Sequence, residues 1–272
     1  MECIDRRQSQ QLRGLPHAEW LVKVPEAASR ASDDMARAKE AQARLFPRRL
    51  PMLGTLAYGG VCIQAREVGG DSYDFLDLGR GYLGLTIADA AGKGLAAALL
   101  MASLQANLRS QCILAIDDVG SLLRAVNRLM CDNTPEGSYT TLFFAEYSDE
   151  GQRLRYVNCG HLPALLMHSD GAVDHLESTA TVLGLHEDWE CTVEEVRLCH
   201  GDTLLLYTDG VTEAINQDGE EFGERSLVEL LRVHRLLPPS ALLRCILNGL
   251  QHFAGNRFQD DMTLVAARCV GQ

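Results

Sequence analysis

The chain has 272 residues, of which 46% are hydrophobic, enough for one large domain or for one domain with an extension. Its formal net charge of −12 argues against nucleic acid and anionic membranes as partners, because both would repel the protein. Nine scattered cysteines without a Cys-x-x-Cys pair are typical of reduced thiols rather than of a zinc or redox motif. The sequence shows neither a membrane-spanning apolar run nor a signal peptide, so we expect a cytoplasmic protein.

Residues 1–45 are predicted to form a short N-terminal extension. Between Pro25 and Leu45, apolar residues recur at alternating spacings of three and four, although this seam is mostly alanine and is interrupted by Gln42. A lone helix of this kind is marginal in water. We therefore expect it to pack on the domain, to form a homodimer with a second copy, or to remain a loosely held regulatory arm. Prolines at 47 and 51 end the helix, which predicts a domain over 46–272.

The elements of that domain follow from periodicity and turn signals. Strands are expected over 55–64 and 82–88, then a helix from Gly94 to about Ser110 and a second helix capped by Asp117 or Asp118. The later elements are listed here: strands over 139–147, 154–158, 164–168, 173–176, 192–198 and 203–208, helices over 226–233 and 240–253, and a strand over 262–268. Helices outside a large antiparallel β core predict an α+β layered sandwich.

Asp89 lies at the most informative corner of the chain. It follows a buried apolar strand, and glycines at 92 and 94 permit the backbone to wrap closely around a small charged object. Helix-forming residues begin immediately after Gly94. Asp89 can therefore bind a hard cation through its oxygens, or it can simply cap the helix.

Other acids occupy similar places. Asp209 ends the buried strand that begins at Leu204, and Asp260 with Asp261 precedes the last strand. If three such strand ends converge at one end of a sheet, their carboxylates repel one another unless divalent cations neutralise them. Oxygen ligands without His or Cys favour Mg²⁺ or Mn²⁺ over zinc. Asp71, Asp74 and Asp77 also recur every third residue, which a solvated loop or strand edge would explain equally well.

Five motifs occur in an order that resembles a known family, the bacterial PP2C-like metal-dependent serine/threonine phosphatases of the sporulation and stress-response branch. The resemblance covers about residues 50–269. The motifs are Gly69-Gly70-Asp71-Ser72-Tyr73-Asp74-Phe75, Ile87-Ala88-Asp89 with Gly92-Lys93-Gly94, Asn158-Cys159-Gly160-His161-Leu162-Pro163, Tyr207-Thr208-Asp209-Gly210-Val211-Thr212-Glu213 and Asp260-Asp261-Met262-Thr263.

The resemblance implies a four-layer αββα sandwich of two antiparallel sheets flanked by helices, with two divalent cations, Mn²⁺ or Mg²⁺, at one edge. By this resemblance Asp89 bridges both cations, with the Ala90 carbonyl beside it. Asp209 and Asp260 would bind one cation and Asp71 the other, and Asp261 would stand behind these ligands. Asp89 and Asp209 are then the central catalytic residues. The implied reaction is hydrolysis of phosphoserine or phosphothreonine by a metal-bridging hydroxide, with no protein nucleophile.

The residue that binds phosphate stays open at this stage. Lys93 would neutralise phosphate or would simply be solvated beside the acids. Arg66 precedes Asp71 at about the spacing of the phosphate-binding arginine in eukaryotic relatives, but the residues between them differ from that motif. His161 is more typical of a turn than of a catalytic acid. The Cys-x5-Arg spacing from Cys191 to Arg197 is rejected as a tyrosine phosphatase motif, because neighbouring glutamates would repel phosphate.

The resemblance also implies a substrate class, a phosphorylated anti-sigma-factor antagonist, and control by a regulatory protein. We expect the helix after Gly94 to act as a lever on Asp89. Two other functions stay open: a catalytically silent module that binds a phosphoprotein, and a two-metal phosphohydrolase that acts on a small molecule.

Overall fold

A computed structural model describes residue 30 and residues 32–114, 118–255 and 258–271. Residues 32–43 form a helix, α1, while the seam positions Ala28 and Ala31 lie outside the described residues. The chain divides into two units between Ala41 and Gln42. The boundary between 45 and 46 stays a prediction.

The second unit, Gln42–Gln272, contains every other described element. Its strands are β1 (Leu56–Ile63), β2 (Asp71–Gly79), β3 (Tyr82–Ala90), β4 (Thr140–Ser148), β5 (Arg153–Cys159), β6 (Ala164–Met167), β7 (Val173–Leu176), β8 (Glu194–Arg197), β9 (Thr203–Tyr207) and β10 (Met262–Cys269). Its helices are α2 (Leu95–Leu114), α3 (Val119–Asn133), the short α4 (Asp209–Thr212), α5 (Gly223–Val233) and α6 (Pro239–Ala254).

The strands form two antiparallel sheets of five. The first sheet has the order β1-β10-β9-β6-β7, and the second has the order β2-β3-β4-β5-β8. Side chains from both inner faces form one core between the sheets, in which Leu85, Phe143 and Leu206 are almost fully buried. A second core joins the second sheet to α2 and α3, and a third joins the first sheet to α5 and α6. The predicted α+β, four-layer αββα sandwich is therefore confirmed.

The local signals in the sequence place most elements within two or three residues. Asp118 caps α3, and its carboxylate accepts a hydrogen bond from the Ser121 amide. The first long helix is longer than expected and ends at Leu114 rather than near Ser110. The interpretation of Asp89 as a helix cap is wrong, because α2 begins only at Leu95 and Asp89 is still part of β3. Within the described ranges, no helix is both long and apolar enough to cross a membrane.

Candidate functional site

Four aspartates come together at one edge of the sandwich. Asp71 begins β2 and lies directly opposite Asp89, near the end of β3. Asp209 follows β9, and Asp260 stands just before β10. The acids therefore come from both sheets, so the expectation that they share one end of a single sheet is wrong. Of the three acids around β2, only Asp71 belongs to this group, because Asp74 pairs with Arg109 and Asp77 bonds to the Gly79 amide.

Burial and mutual repulsion raise the pKa values of three of these acids, Asp71, Asp89 and Asp209. Asp71 is 2% exposed, and burial followed by the nearby Asp89 raises the pKa of its carboxyl well above the ordinary value. The pKa of Asp89 rises to about 7, first through burial and then through Asp209 and Asp260. Burial and Asp260 also raise the pKa of Asp209. These carboxyls therefore favour the protonated form unless positive charge is brought beside them.

Two buried threonines hold the Asp71 carboxylate. Its Oδ2 atom accepts hydrogen bonds from Thr208 Oγ1 at 2.7 Å and from Thr263 Oγ1 at 2.8 Å. The Thr208 hydroxyl in turn accepts a bond from the Thr263 amide at 2.9 Å. Sequence reasoning missed these positioning residues, although Thr208 directly precedes Asp209 and Thr263 lies two residues after Asp261. The two threonines lie at β9 and β10 of the first sheet, and they fix the orientation of Asp71 on β2 of the second sheet.

Asp261 anchors the loop before β2. Its two carboxylate oxygens accept hydrogen bonds from the amides of Ala65 and Gly70, both at 2.8 Å. A Cβ atom on Gly69 would lie 2.0 Å from the Asp261 carboxylate, so only glycine fits there. Asp261 thus stands behind the other acids, and both of its oxygens are used to hold the loop.

Gln42 holds the same loop from the other side. Its side-chain amide donates to the Gly69 carbonyl at 2.7 Å, and its Oε1 accepts from the Gly69 amide at 3.1 Å. Gln64 donates a further bond to that oxygen at 2.7 Å. Gln42, which interrupts the apolar seam of α1, is therefore buried and contacts the loop that leads into Asp71.

Lys93 and Arg66 line the cleft beside these acids, together with Asp89 and Asp260. Lys93 Nζ lies 2.5 Å from Asp260 Oδ2, and this ion pair raises the pKa of the lysine. The space left in this cleft is about 10 Å³, and the Lys93 ammonium group lies at its exposed side against Asp260. In this arrangement no three Asp, Glu, His or Cys side chains of the described residues are positioned as a metal-binding group.

The donor atoms of the edge nevertheless fit hard cations. All are oxygens, as Mg²⁺ and Mn²⁺ prefer. A Cβ atom on Gly70 would lie 3.1 Å from the Ala90 carbonyl oxygen and 3.6 Å from Asp89 Oδ1. These two oxygens therefore lie close together beside Gly70, which has no side chain to separate them. Movement of Lys93 away from Asp260 would free a third oxygen donor.

His161 connects the two sheets beside this edge. It lies in the turn between β5 and β6, and its Nε2 bonds to the carbonyl of Tyr207, two residues before Asp209. Its Nδ1 lies 2.8 Å from the hydroxyl of Thr141, the β4 residue opposite Asp89. Because a carbonyl only accepts, Nε2 carries the proton and Thr141 donates to Nδ1. Burial lowers the pKa of His161 to about 4, so the ring is neutral near pH 7.

Replacing His161 by leucine is expected to remove this connection. The Tyr207 carbonyl would lose this partner, and the Thr141 hydroxyl would keep only a long 3.4 Å contact with the Asp89 carbonyl. We expect this to lower the free energy of unfolding at pH 7 by about 2–3 kcal/mol. A lowered histidine pKa stabilises the folded state above the unfolded value of about 6.5, and this contribution is lost as the pH falls toward 4. The stability difference between wild type and variant, followed by urea unfolding, should therefore shrink between pH 7 and pH 4. A constant difference would contradict the buried neutral ring.

Comparisons with known proteins agree with this architecture. The family model "Stage II sporulation protein E (SpoIIE)" matches residues 79–270. The phosphoserine phosphatase RsbU of Bacillus subtilis is 28% identical over 233 residues, which are 85% of this chain and 68% of RsbU. The SiaA-PP2C domain of Pseudomonas aeruginosa superposes with a TM-score of 0.78 at 22% identity, covering 89% of this chain and 98% of that domain.

A further solved structure contains metal. The catalytic domain of the serine/threonine protein phosphatase PstP, in complex with two manganese ions, superposes with a TM-score of 0.57 at 22% identity and covers 80% of this chain and 99% of that one. The family model spans well over half of the chain and includes Asp89, Asp209 and Asp260. The chain therefore belongs to the SpoIIE family, and it is a phosphatase domain of the PP2C type.

Proposed function

We propose that the chain hydrolyses phosphoserine or phosphothreonine on a protein with the help of two divalent cations, Mn²⁺ or Mg²⁺. The observation that carries this proposal is the convergence of Asp71, Asp89, Asp209 and Asp260 at one edge, where burial and repulsion raise the pKa values of the first three. Support comes from RsbU, which is named a phosphoserine phosphatase, and from the two manganese ions of PstP.

The chain's own oxygens would hold the cations in the roles that the family resemblance implies. Asp89 would lie between them with the Ala90 carbonyl, Asp209 and Asp260 would hold one, and Asp71 the other. Bound cations lower the pKa of water and balance charge on a phosphoryl group. The rest of the site positions these donors: Thr208 and Thr263 orient Asp71, while Asp261 fixes the adjoining loop.

Lys93 and Arg66 are the proposed phosphate-binding residues. Both line the acidic cleft, and Arg66 Nη1 would lie 3.7 Å from a Cβ atom on Gly94. Cation binding to Asp260 would release Lys93 from its ion pair, leaving the ammonium group available to a phosphoryl oxygen. The two side chains would then supply positive charge at the mouth of an otherwise acidic site.

The substrate and the regulation of this domain are proposed from the family resemblance. A phosphorylated signalling protein of the anti-sigma-factor antagonist type is the substrate class that the family resemblance implies, and a regulatory protein or dimerisation through residues 1–45 would control its turnover. A cytoplasmic location agrees with the cysteines of the described residues, all of which are free thiols. Helix α2 would transmit control, because it begins at Leu95, only one short turn after Asp89 near the end of β3.

A phosphopeptide assay tests this function. We expect Mn²⁺ to support release of inorganic phosphate from a phosphoserine peptide, and excess chelator to reduce the rate to background. Hydrolysis of p-nitrophenyl phosphate by the same protein tests the alternative of a phosphohydrolase that acts on small molecules. That alternative predicts a higher kcat/KM for the simple ester than for the peptide. Tight binding of the phosphopeptide without hydrolysis would contradict the proposal and favour a silent binding module.

A further inference from the structure

A second polar cavity lies on the outer face of the second sheet, away from the aspartates. We call it the arginine groove. Its volume is about 830 Å³, and its charged lining comprises Arg80, Glu146, Glu150, Arg153, Arg155, Glu195 and Arg197. β3 begins beside this groove at Tyr82 and ends beside the acidic edge at Ala90. Eight residue steps of a strand separate the two sites by about 25 Å.

Helices cover only part of this sheet face. Outward side chains nearer the acidic edge, such as Phe144 and Val157, pack in the core with α2 and α3. Glu146, two residues after Phe144, and Arg155, two residues before Val157, lie in the groove instead. The same sheet face therefore changes from an apolar core to a charged concave surface.

A buried ion pair forms the base of the groove. The Glu146 side chain is 3% exposed, and its Oε1 accepts hydrogen bonds from Arg155 Nε at 2.9 Å and Nη2 at 2.6 Å. Gly84 of β3 is the cross-strand neighbour of Glu146, so the residue directly opposite places no side chain over the pair. The base is thus fixed and electrically balanced, and the rim determines which charge the groove attracts.

The rim carries an unusual arrangement of positive charge. Arg153 and Arg197 are direct cross-strand neighbours on β5 and β8, a placement in which like charges destabilise a sheet. Arg80 adds a third guanidinium from the turn between β2 and β3, where it has a left-handed φ of 52°. Arg153 pairs with Glu195, whereas Arg80 and Arg197 form no ion pair with any residue that the structure describes. An anion between these groups would relieve their repulsion.

We propose that the arginine groove binds an extended, carboxylate-rich segment of a partner protein. Guanidinium groups bind carboxylates with paired hydrogen bonds. The carboxylates of Glu150 and Glu195 at the rim would repel a compact dianion such as phosphate. Single carboxylates spaced along a peptide can instead lie between these two glutamates. The volume also admits several side chains rather than one small ion. Since the protein carries a formal net charge of −12, an acidic segment would be repelled elsewhere and directed to this groove.

Fluorescence anisotropy with a labelled hexaglutamate peptide tests the proposal on the full chain. The double variant Arg153→Gln/Arg197→Gln should weaken binding about tenfold at low salt, since two charge-assisted contacts are lost. The control Arg128→Gln/Arg225→Gln removes the same charge from exposed helix positions outside the groove and should change binding less than about twofold. Arg80→Asn is a third variant, because asparagine tolerates the left-handed backbone while removing the charge.

The outcomes separate the alternatives. Loss of binding in the groove variants alone, with thermal unfolding temperatures close to that of wild type, would support the proposal. It would be overturned if wild type does not bind hexaglutamate, if the control variant loses as much affinity, or if Arg80→Asn has no effect. Displacement of the peptide by inorganic phosphate at equal charge concentration would also overturn it, because the groove would then be a small-oxyanion site.

Discussion

The variant Asp89→Asn is expected to lose hydrolysis while becoming more stable without metal. Asparagine has nearly the same shape, but it removes the charge that Asp209 and Asp260 repel. We expect kcat/KM on a phosphoserine peptide to fall about 10³-fold, because charge stabilisation at the reacting group depends on this carboxylate. In the presence of chelator, the free energy of unfolding should rise by about 1 kcal/mol, since the repulsion is gone.

The stability gain expected for Asp89→Asn depends on pH. In the metal-free folded chain the pKa of Asp89 is raised from 3.8 to about 7, so the folded state prefers the protonated form. The stability that this protonated group contributes is lost as the pH rises from about 4 to about 7. The gain from Asp89→Asn should therefore be small at pH 4 and largest above pH 7, as measured by urea unfolding with chelator. Lower stability of the variant above pH 7 would contradict a crowded acidic edge.

The variant Gly210→Ala should have the largest effect among the glycine substitutions near the site. A Cβ atom there would lie 2.0 Å from the backbone carbonyl oxygen of Asp261. Neither partner is a flexible side chain, so the turn after β9 must move away from the segment that leads into β10. We expect the free energy of unfolding to fall by about 3 kcal/mol, together with loss of phosphatase activity, because Asp209 and Asp260 would separate.

Gly59→Ala is the matched control. Gly59 lies in β1, and its added Cβ would meet only Leu243 at 3.9 Å, an ordinary contact. Thermal and urea unfolding of the two variants should differ clearly, with Gly59→Ala close to wild type. Equal stability of both variants, with activity retained in Gly210→Ala, would show that the turn after β9 and the segment leading into β10 are not held in close contact.

Most of the fold was predictable because its signals are local. Alternating or continuous apolar residues mark the strands, and an acid such as Asp118 marks a helix start. The alternative in which Asp89 caps the helix is wrong because Gly92 and Gly94 both adopt left-handed φ values, so the chain makes a further turn before α2 begins. Residue types alone do not reveal how many residues such a turn uses.

The site was predictable only in part. Strand-end acids identify candidates such as Asp89 and Asp209, whereas Asp71 was assigned only through the family resemblance. The division of these acids between two sheets depends on long-range pairing that no single segment specifies. Thr208 and Thr263 were missed because their role arises only when β9 and β10 lie beside β2. Gln42 looked like a defect in a helical seam, since its partner Gly69 lies 27 residues further along the chain.

The most direct test of the central claim measures metal binding without catalysis. Calorimetric titration of Mn²⁺ into chelator-treated, dialysed protein should show about two bound ions per chain, the number that a paired-cation site requires. Asp209→Asn should weaken this binding at least about tenfold, whereas Asp77→Asn, at an exposed position of β2, should leave it unchanged. Absence of Mn²⁺ binding by wild type, or equal binding by wild type and Asp209→Asn, would contradict the account.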